Sequence, residues 1–273
     1  MWGSTIVVFR EVFEIAIILC VILAATKGVQ SRGKWINLGI LAGIIGAALL
    51  GAATQTVSIL AGPEGQQYFN AGILLTAVIM IGWTVVWMKR HSFTIVSDLK
   101  QVGKAVSEGE KPLHMLAIVT GLAVMREGSE IVIFLYGMLA AGQTTLMGAI
   151  IGGIIGLLLG VGFGVLMYNG LIRFSVKYLF QVTSVLLTFI AAGMAANAGG
   201  KLVKAGLLPI LTPSLWDTSS LLSQRSIIGR FFHILFGYQD NPNGMQGLFY
   251  IATILMIFYF IRRGMTASTP KAA

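Results

Sequence analysis

The chain has 273 residues, of which 56% are hydrophobic and only 11% charged, with a mean hydropathy of +0.85. Soluble domains average about 25% charged residues, so this composition excludes an ordinary water-soluble domain and predicts an integral membrane protein. The net charge of +9 comes largely from basic residues clustered between apolar stretches, which makes it a topological signal rather than a nucleic-acid footprint.

Apolar stretches at 4–26, 36–60, 70–88, 113–140, 145–168, 178–199 and 247–262 each approach the ~20 residues needed to cross a bilayer. They predict seven spans. The first lacks a basic leader and a small-residue cleavage site, so it reads as a retained span rather than a signal peptide. Trp83, Trp87 and Tyr168 suit interfacial anchoring. A single cysteine, Cys20, excludes an internal disulfide and a cysteine-cluster metal site.

Most basic residues follow odd-numbered spans: Lys27, Arg32 and Lys34 after the first, Lys89, Arg90, Lys100, Lys104 and Lys111 after the third, Arg173 and Lys177 after the fifth, Arg262, Arg263 and Lys271 after the seventh. Lys201, Lys204, Arg225 and Arg230 fall on the opposite side. The positive-inside bias predicts a multi-pass protein of the cell's inner (plasma) membrane, N-terminus outside and C-terminus cytoplasmic.

Two charged motifs interrupt the oil. Arg10-Glu11-Val12-Phe13-Glu14 lies in span one and Arg126-Glu127-Gly128-Ser129-Glu130 in span four. A charge at mid-bilayer costs about 2.5–3.5 kcal/mol, so six unpaired ones would cost about 15–20 kcal/mol. A shift of 116 residues superposes the motifs and continues through Ile15 on Ile131, Leu19 on Leu135 and Leu23 on Leu139. Span two carries Gly39, Gly43, Ala47 and Gly51, and span five Gly148, Gly152, Gly156, Gly160 and Gly164. Leu74-Leu75-Thr76 in span three is echoed by Leu186-Leu187-Thr188 in span six. Three spans followed by three similar ones must enter the membrane in opposite senses, a pattern of many transporters. The expected architecture is therefore an all-α polytopic membrane protein with seven transmembrane helices: two inverted three-helix repeats (1–90 and 113–200) plus one terminal helix with its tail (247–273). A cytoplasmic loop (91–112) and an extracytoplasmic segment (201–246) complete it. The glycine rows let helix backbones approach closely, within the bundle or in a homo-oligomer.

On a helix, Arg10 and Glu14 share a face and Glu11 adjoins it. Arg10 can neutralise one carboxylate. If the two motifs meet, four carboxylates and two guanidiniums keep about two negative charges. Carboxylate oxygens suit hard cations, and no His or Cys stands at ligand spacing, with Met125 the one nearby sulfur. Zinc and copper(I) are disfavoured. The simpler reading is a pair of buried salt bridges fixing helix register, but two symmetric motifs favour an ion pathway. An intramembrane hydrolase would want a histidine or nucleophile beside the carboxylates. His91, His114 and His233 lie elsewhere, and Ser129 has Phe13 as its counterpart, so no enzyme is expected.

In the outer segment, Asp217 and Thr218 are placed to cap a short helix through Leu221 and Leu222. The stretch from Ile227 to Tyr238 is apolar enough to dip into the membrane. Asp217, His233, Tyr238 and Asp240 are candidate ion-entrance groups, with capping and turn roles the alternative for the two aspartates. Glu64, Asp217 and Asp240 face four basic residues, so this side offers little acidic attraction and favours hand-over by a partner. Glu108 and Glu110 sit in a mixed-charge stretch that reads as solvated.

The paired Arg-Glu-x-x-Glu motifs in spans one and four resemble those of the oxidase-dependent iron permeases of fungi and bacteria, which carry Arg-Glu-Gly-Leu-Glu at both places. Here Gly128 is kept, Ser129 replaces Leu, and Val12-Phe13 replaces Gly-Leu. Trp83 to Trp87, Trp216-Asp217 and Gly237-Tyr238-Gln239-Asp240 also resemble the bacterial ferrous-iron uptake permeases, so the resemblance covers nearly the whole chain. Asn70 stands where relatives carry an acidic residue. The resemblance implies iron uptake with Glu11, Glu14, Glu127 and Glu130 as metal ligands and Arg10 and Arg126 as charge-balancing groups. It implies iron as transported substrate with no bound cofactor, and a separate extracytoplasmic oxidase or iron-binding protein as partner. Lead or manganese uptake, or a non-transporting scaffold, stay open as alternatives.

Overall fold

A computed structural model gives the fold. It describes the backbone of residues 1–60, 62–170, 176–224 and 226–266, and the side chains in those ranges except 57–67, 88–96, 176–180, 227 and 264–266. Glu64, Lys89, Arg90, His91, Arg173, Lys177, Arg225 and Lys271, invoked above, lie outside that side-chain description.

The described residues are all-helical, with α1 (Trp2–Ala25), α2 (Arg32–Leu60), α3 (Gly62–Ser107), α4 (His114–Ala140), α5 (Leu146–Tyr168), α6 (Val176–Lys204), α7 (Ile227–Phe236) and α8 (Gly244–Thr266). Five of them, α2, α3, α5, α6 and α8, contain stretches long and apolar enough to cross a membrane. The helices α1 and α4, at 24 and 27 residues, are as long, but each carries a three-charge motif near its middle. The helix boundaries follow local chemistry. Thr145 caps α5 by accepting a hydrogen bond from the Gly148 amide at 3.1 Å, and Ser226 caps α7 by accepting one from Gly229 at 2.9 Å. Gly237 ends α7 in the left-handed region at φ +67°, where a side chain would be strained.

Two expectations change. Helix α3 runs unbroken to Ser107, so most of the 91–112 segment expected as a loop is helix. Its Val106 is buried against Ile22 and Ile36, with Leu99 packed alongside, so one face of this charged stretch is apolar. Asp217 caps no helix. Its carboxylate accepts from the Ser219 amide at 3.0 Å and the Ser219 hydroxyl at 2.5 Å, closing a turn, and the chain through Leu222 makes one further turn, with the Leu221 and Leu222 amides donating to the Thr218 carbonyl, and no helix.

The core is built where α1, α3, α4 and α6 meet, around Val7, Leu74, Ile81, Phe134, Met138, Leu187, Ile190 and Met194. Large side chains such as Leu41 and Leu49 of α2, Leu146 and Leu158 of α5, and Ile251 and Leu255 of α8 point outward, as a lipid-facing surface requires. In lipid these core contacts gain from close packing rather than from escape from water.

Glycines make that packing close. A methyl on Gly39 would strike the Ala117 carbonyl and Thr120 Cβ, and one on Gly43 would strike the Gly121 carbonyl, Val124 Cβ and the Met125 amide. Across the bundle, Gly152 meets the Met1 carbonyl and Ser4 Cβ, and Gly156 meets the Thr5 carbonyl, Val8 Cβ and the Phe9 amide. Each partner in the α2–α4 seam lies 116 residues beyond its counterpart in the α1–α5 seam. Gly51 against Val132 and Gly164 against Ala16 extend the match. The glycine rows are thus engaged inside the chain.

Helices α1 and α4 run antiparallel. Gly3 lies against Met138, and the Met1 amino group donates to Thr144 Oγ1 at 3.2 Å. The opposite end gathers Ile22, Ile36, Val106 and Leu116, together with Lys27, Arg32, Lys34, Lys104 and Lys111 from the adjoining helix ends and turns.

Candidate metal centre

Both motifs sit halfway along their helices, and their four glutamates turn inward. Arg10 and Glu11 are fully buried, and Glu14, Glu127 and Glu130 are no more than 5% exposed. One carboxylate oxygen from each of Glu11, Glu14 and Glu127 falls within 4.8 Å of the other two. Oxygens so spaced are close enough that one hard cation, at metal–oxygen distances of about 2.0–2.6 Å, would reach all three. Helices α1 and α4 therefore bring 116-residue-distant groups into one oxygen cluster.

The arginines differ. Arg10 sends Nη1 to Glu11 Oε1 and Nη2 to Glu14 Oε1, both at 2.7 Å. It thus grips two carboxylates where the sequence suggested one. Arg126 has a side chain 43% exposed, and its Nε stands 3.6 Å from Glu127 Oε1 and 3.4 Å from Glu130 Oε1. Its guanidinium carbon lies 4.5 Å from the centre of the Trp87 ring, a cation–π distance.

Glu130 lies beside the cluster. Thr84 Oγ1 of α3 donates to Glu130 Oε2 at 2.9 Å, and both groups are buried. Glu11 Oε2 and Glu127 Oε2 are buried without a hydrogen-bond partner. Oxygens in that state are costly unless something positive meets them. Met125 is 40% exposed and packs on Gly46, away from the cluster. Ser129 donates to the Met125 carbonyl at 2.6 Å.

The four entrance candidates are bonded within the 201–246 segment rather than to this cluster. Tyr238 Oη donates to the Leu222 carbonyl at 2.9 Å and pairs with Thr218 Oγ1. Asp240 Oδ2 accepts from the Gln224 amide at 3.0 Å. His233 Nδ1 lies 2.6 Å from both the Tyr238 carbonyl and Gln224 Nε2, and burial holds its pKa below the usual histidine value. The Ser219 bonds lower the pKa of Asp217.

Sequence reasoning missed Thr84 as a partner of Glu130 and took Trp87 for an interfacial anchor alone. A signal was present: Thr84 and Trp87 are i, i+3 and share a helix face. A hydroxyl and an indole on one stripe of α3 mark the stripe that meets the charged helix.

A helical membrane bundle with a buried acidic cluster at mid-helix is built as an ion-handling membrane protein. Comparison with known proteins makes the class specific. The chain matches the Iron permease FTR1 family over residues 1–269, and it belongs to that family. It is 31% identical over 281 residues to the ferrous iron permease EfeU of Escherichia coli O6:K15:H31 (strain 536 / UPEC), covering 98% of this chain and 99% of the relative. The EfeU of Shigella sonnei (strain Ss046) is similar at the same identity and coverage. The ferrous iron permease EfeU of Yersinia pestis is 30% identical over 279 residues, with 100% and 98% covered. No solved structure matches. As a member of a permease family the chain is a transporter and not an enzyme.

Proposed function

We propose that the chain imports iron across the inner membrane, with Glu11, Glu14, Glu127 and Glu130 as the ligands that pass the ion through the bilayer. The observation that carries this reading is the convergence of three buried carboxylates from two helices to within 4.8 Å, in a member of an iron permease family. Arg10 and Arg126 balance the charge, leaving about two negative charges for a cation to neutralise. The unpaired oxygens of Glu11 and Glu127 argue against a scaffold whose charges only fix packing, since a purely structural lattice would pair them.

The matching glycine seams support two inverted three-helix repeats, 1–90 and 113–200, followed by a seventh span within 247–273. The clustering of lysines and arginines at one end supports a cytoplasmic C-terminus and an outward N-terminus. The 201–246 segment then faces outward and presents Asp217 and Asp240 to an arriving ion, with His233 and Tyr238 holding its shape.

The relatives are named for ferrous iron, and carboxylate oxygens accept either oxidation state. Ferric ion handed over by a separate extracytoplasmic oxidase or iron-binding protein fits the hardness of the all-oxygen set. Inward movement down the membrane potential gives about 2.3 kcal/mol per charge per 100 mV, so about 7 for a trivalent ion. Radiolabelled iron uptake into proteoliposomes tests the reading. Glu11→Gln and Glu127→Gln should each abolish uptake, and parent-level uptake in either would refute it. Excess manganese or lead should compete weakly.

A further inference from the structure

Helix α4 ends in a turn that normally buries something oily. Gly142, at φ +74°, reverses the chain, and the Gln143 amide donates to the Met138 carbonyl at 3.0 Å. In this helix ending the residue after the glycine usually folds an apolar side chain back onto the last turn. Here it folds back a carboxamide. Gln143 is 2% exposed, and neither its Oε1 nor its Nε2 has a hydrogen-bond partner. A buried amide left unpaired is destabilising, so an inert packing role would favour Leu or Met.

Two more carboxamides reach the same turn of α6. A methyl placed on Gly193 would stand 3.0 Å from Gln143 Nε2. Asn197 Nδ2 donates to the Gly193 carbonyl at 2.9 Å, which turns its Oδ1 outward to meet Gln239 Nε2 at 3.4 Å, a long bond. Gln239 is 9% exposed and follows Gly237, whose backbone packs directly on Gly193. Three neutral carboxamides thus gather at this turn of α6, from α4, α6 itself and the α7–α8 connection, with Gln143 Oε1 a buried oxygen left without a partner. They lie at the end of the bundle where Met1 meets Thr144, beyond the apolar layer of Val7, Phe134 and Met138 that separates them from the glutamates.

We propose that Gln143, Asn197 and Gln239 form a second, outer cation site that takes a partly hydrated hard cation before it reaches the carboxylates. This rests on the iron-import reading above. Neutral carboxamide oxygens are ligands for hard cations, and without net charge they hold an ion less tightly than carboxylates do. A site that collects the ion without trapping it is what a pathway needs ahead of a strongly acidic centre. Nε2 of Gln143 can meanwhile donate to a water or anion accompanying the ion.

The test is ferrous iron uptake, kept reduced with ascorbate, into proteoliposomes of parent, Gln143→Leu, Gln143→Met, Gln143→Glu and Glu127→Gln proteins, with thermal unfolding of each. Gln143→Leu and Gln143→Met should raise the half-saturating iron concentration tenfold or more, while unfolding temperature stays level or rises because an unpaired amide has gone. Gln143→Glu should lower the half-saturating concentration and slow the maximal rate. If Leu fails to fold, Met decides. Parent-like uptake in the apolar variants beside an inactive Glu127→Gln overturns the outer site alone. Active Glu127→Gln overturns the iron-import reading beneath it.

Discussion

Arg10 and Arg126 hold matching places in the sequence and unequal ones in energy. Arg10 is fully buried with two 2.7 Å ion pairs, and removing one partner of such a pair costs about 3–5 kcal/mol. Arg126 shares its charge between two longer contacts and the face of Trp87. The cluster is therefore locked on the α1 side and looser on the α4 side. Thr84 steadies that looser half by fixing Glu130 Oε2, and a hydrogen bond to a charged group contributes about 1.5–3 kcal/mol. Thr84→Val should raise the half-saturating iron concentration roughly tenfold or more, with Thr84→Ser close to parent. Equal kinetics for Val and Ser would deny Thr84 this positioning role. The meeting of the two buried acidic motifs was legible in the sequence, because charges in apolar helices need partners. Thr84 carried only the weak signal of its spacing to Trp87, because a lone hydroxyl on an apolar helix also bonds readily to its own backbone, as Thr76 does to the Gly72 carbonyl.

At the scale of helices, each of the seven apolar stretches lies on a helix, and five of those helices are long and apolar enough to cross a membrane, because lipid leaves little freedom in length or composition. Helix α3 was under-read. Its charges beyond Trp87 look like a loop, yet Leu99 and Val106 recur at a helical interval and pack on α1 and α2. The glycine rows were legible as packing devices, but which helix each row meets depends on the three-dimensional pairing. That pairing yields a paired prediction. Gly43→Val and Gly156→Val should each cut folded protein severely and to a similar degree, since both strike the same three backbone and Cβ positions of the facing helix. Gly162→Ala, with open space around it, should be neutral or slightly stabilising by up to about 1 kcal/mol. Unfolding of the purified variants in detergent measures this, and unequal losses at Gly43 and Gly156 would contradict equivalence of the two seams.

At the scale of the whole molecule, charge and packing agree. One end collects basic residues around Ile22, Ile36 and Val106. The other carries the 201–246 segment, tied by Thr218, Tyr238 and Asp240. In a Cys20→Ser background, Ser219→Cys in intact cells should react with a membrane-impermeant thiol reagent, and Lys104→Cys only after permeabilisation. The reverse pattern would invert the proposed orientation. The fold of the 201–246 segment was the least legible part, because its polar residues serve turns that only tertiary pairing specifies. Asp217 reads from sequence as a cap or an ion ligand, and its bonds to Ser219 close a turn.

The most direct measurement is the position of iron itself. Crystals grown with iron, studied by anomalous scattering at the iron edge, should show a peak within about 2.0–2.6 Å of one oxygen from each of Glu11, Glu14 and Glu127, and the peak should vanish in Glu127→Gln. Iron bound elsewhere, with those three carboxylates bare, would contradict the account.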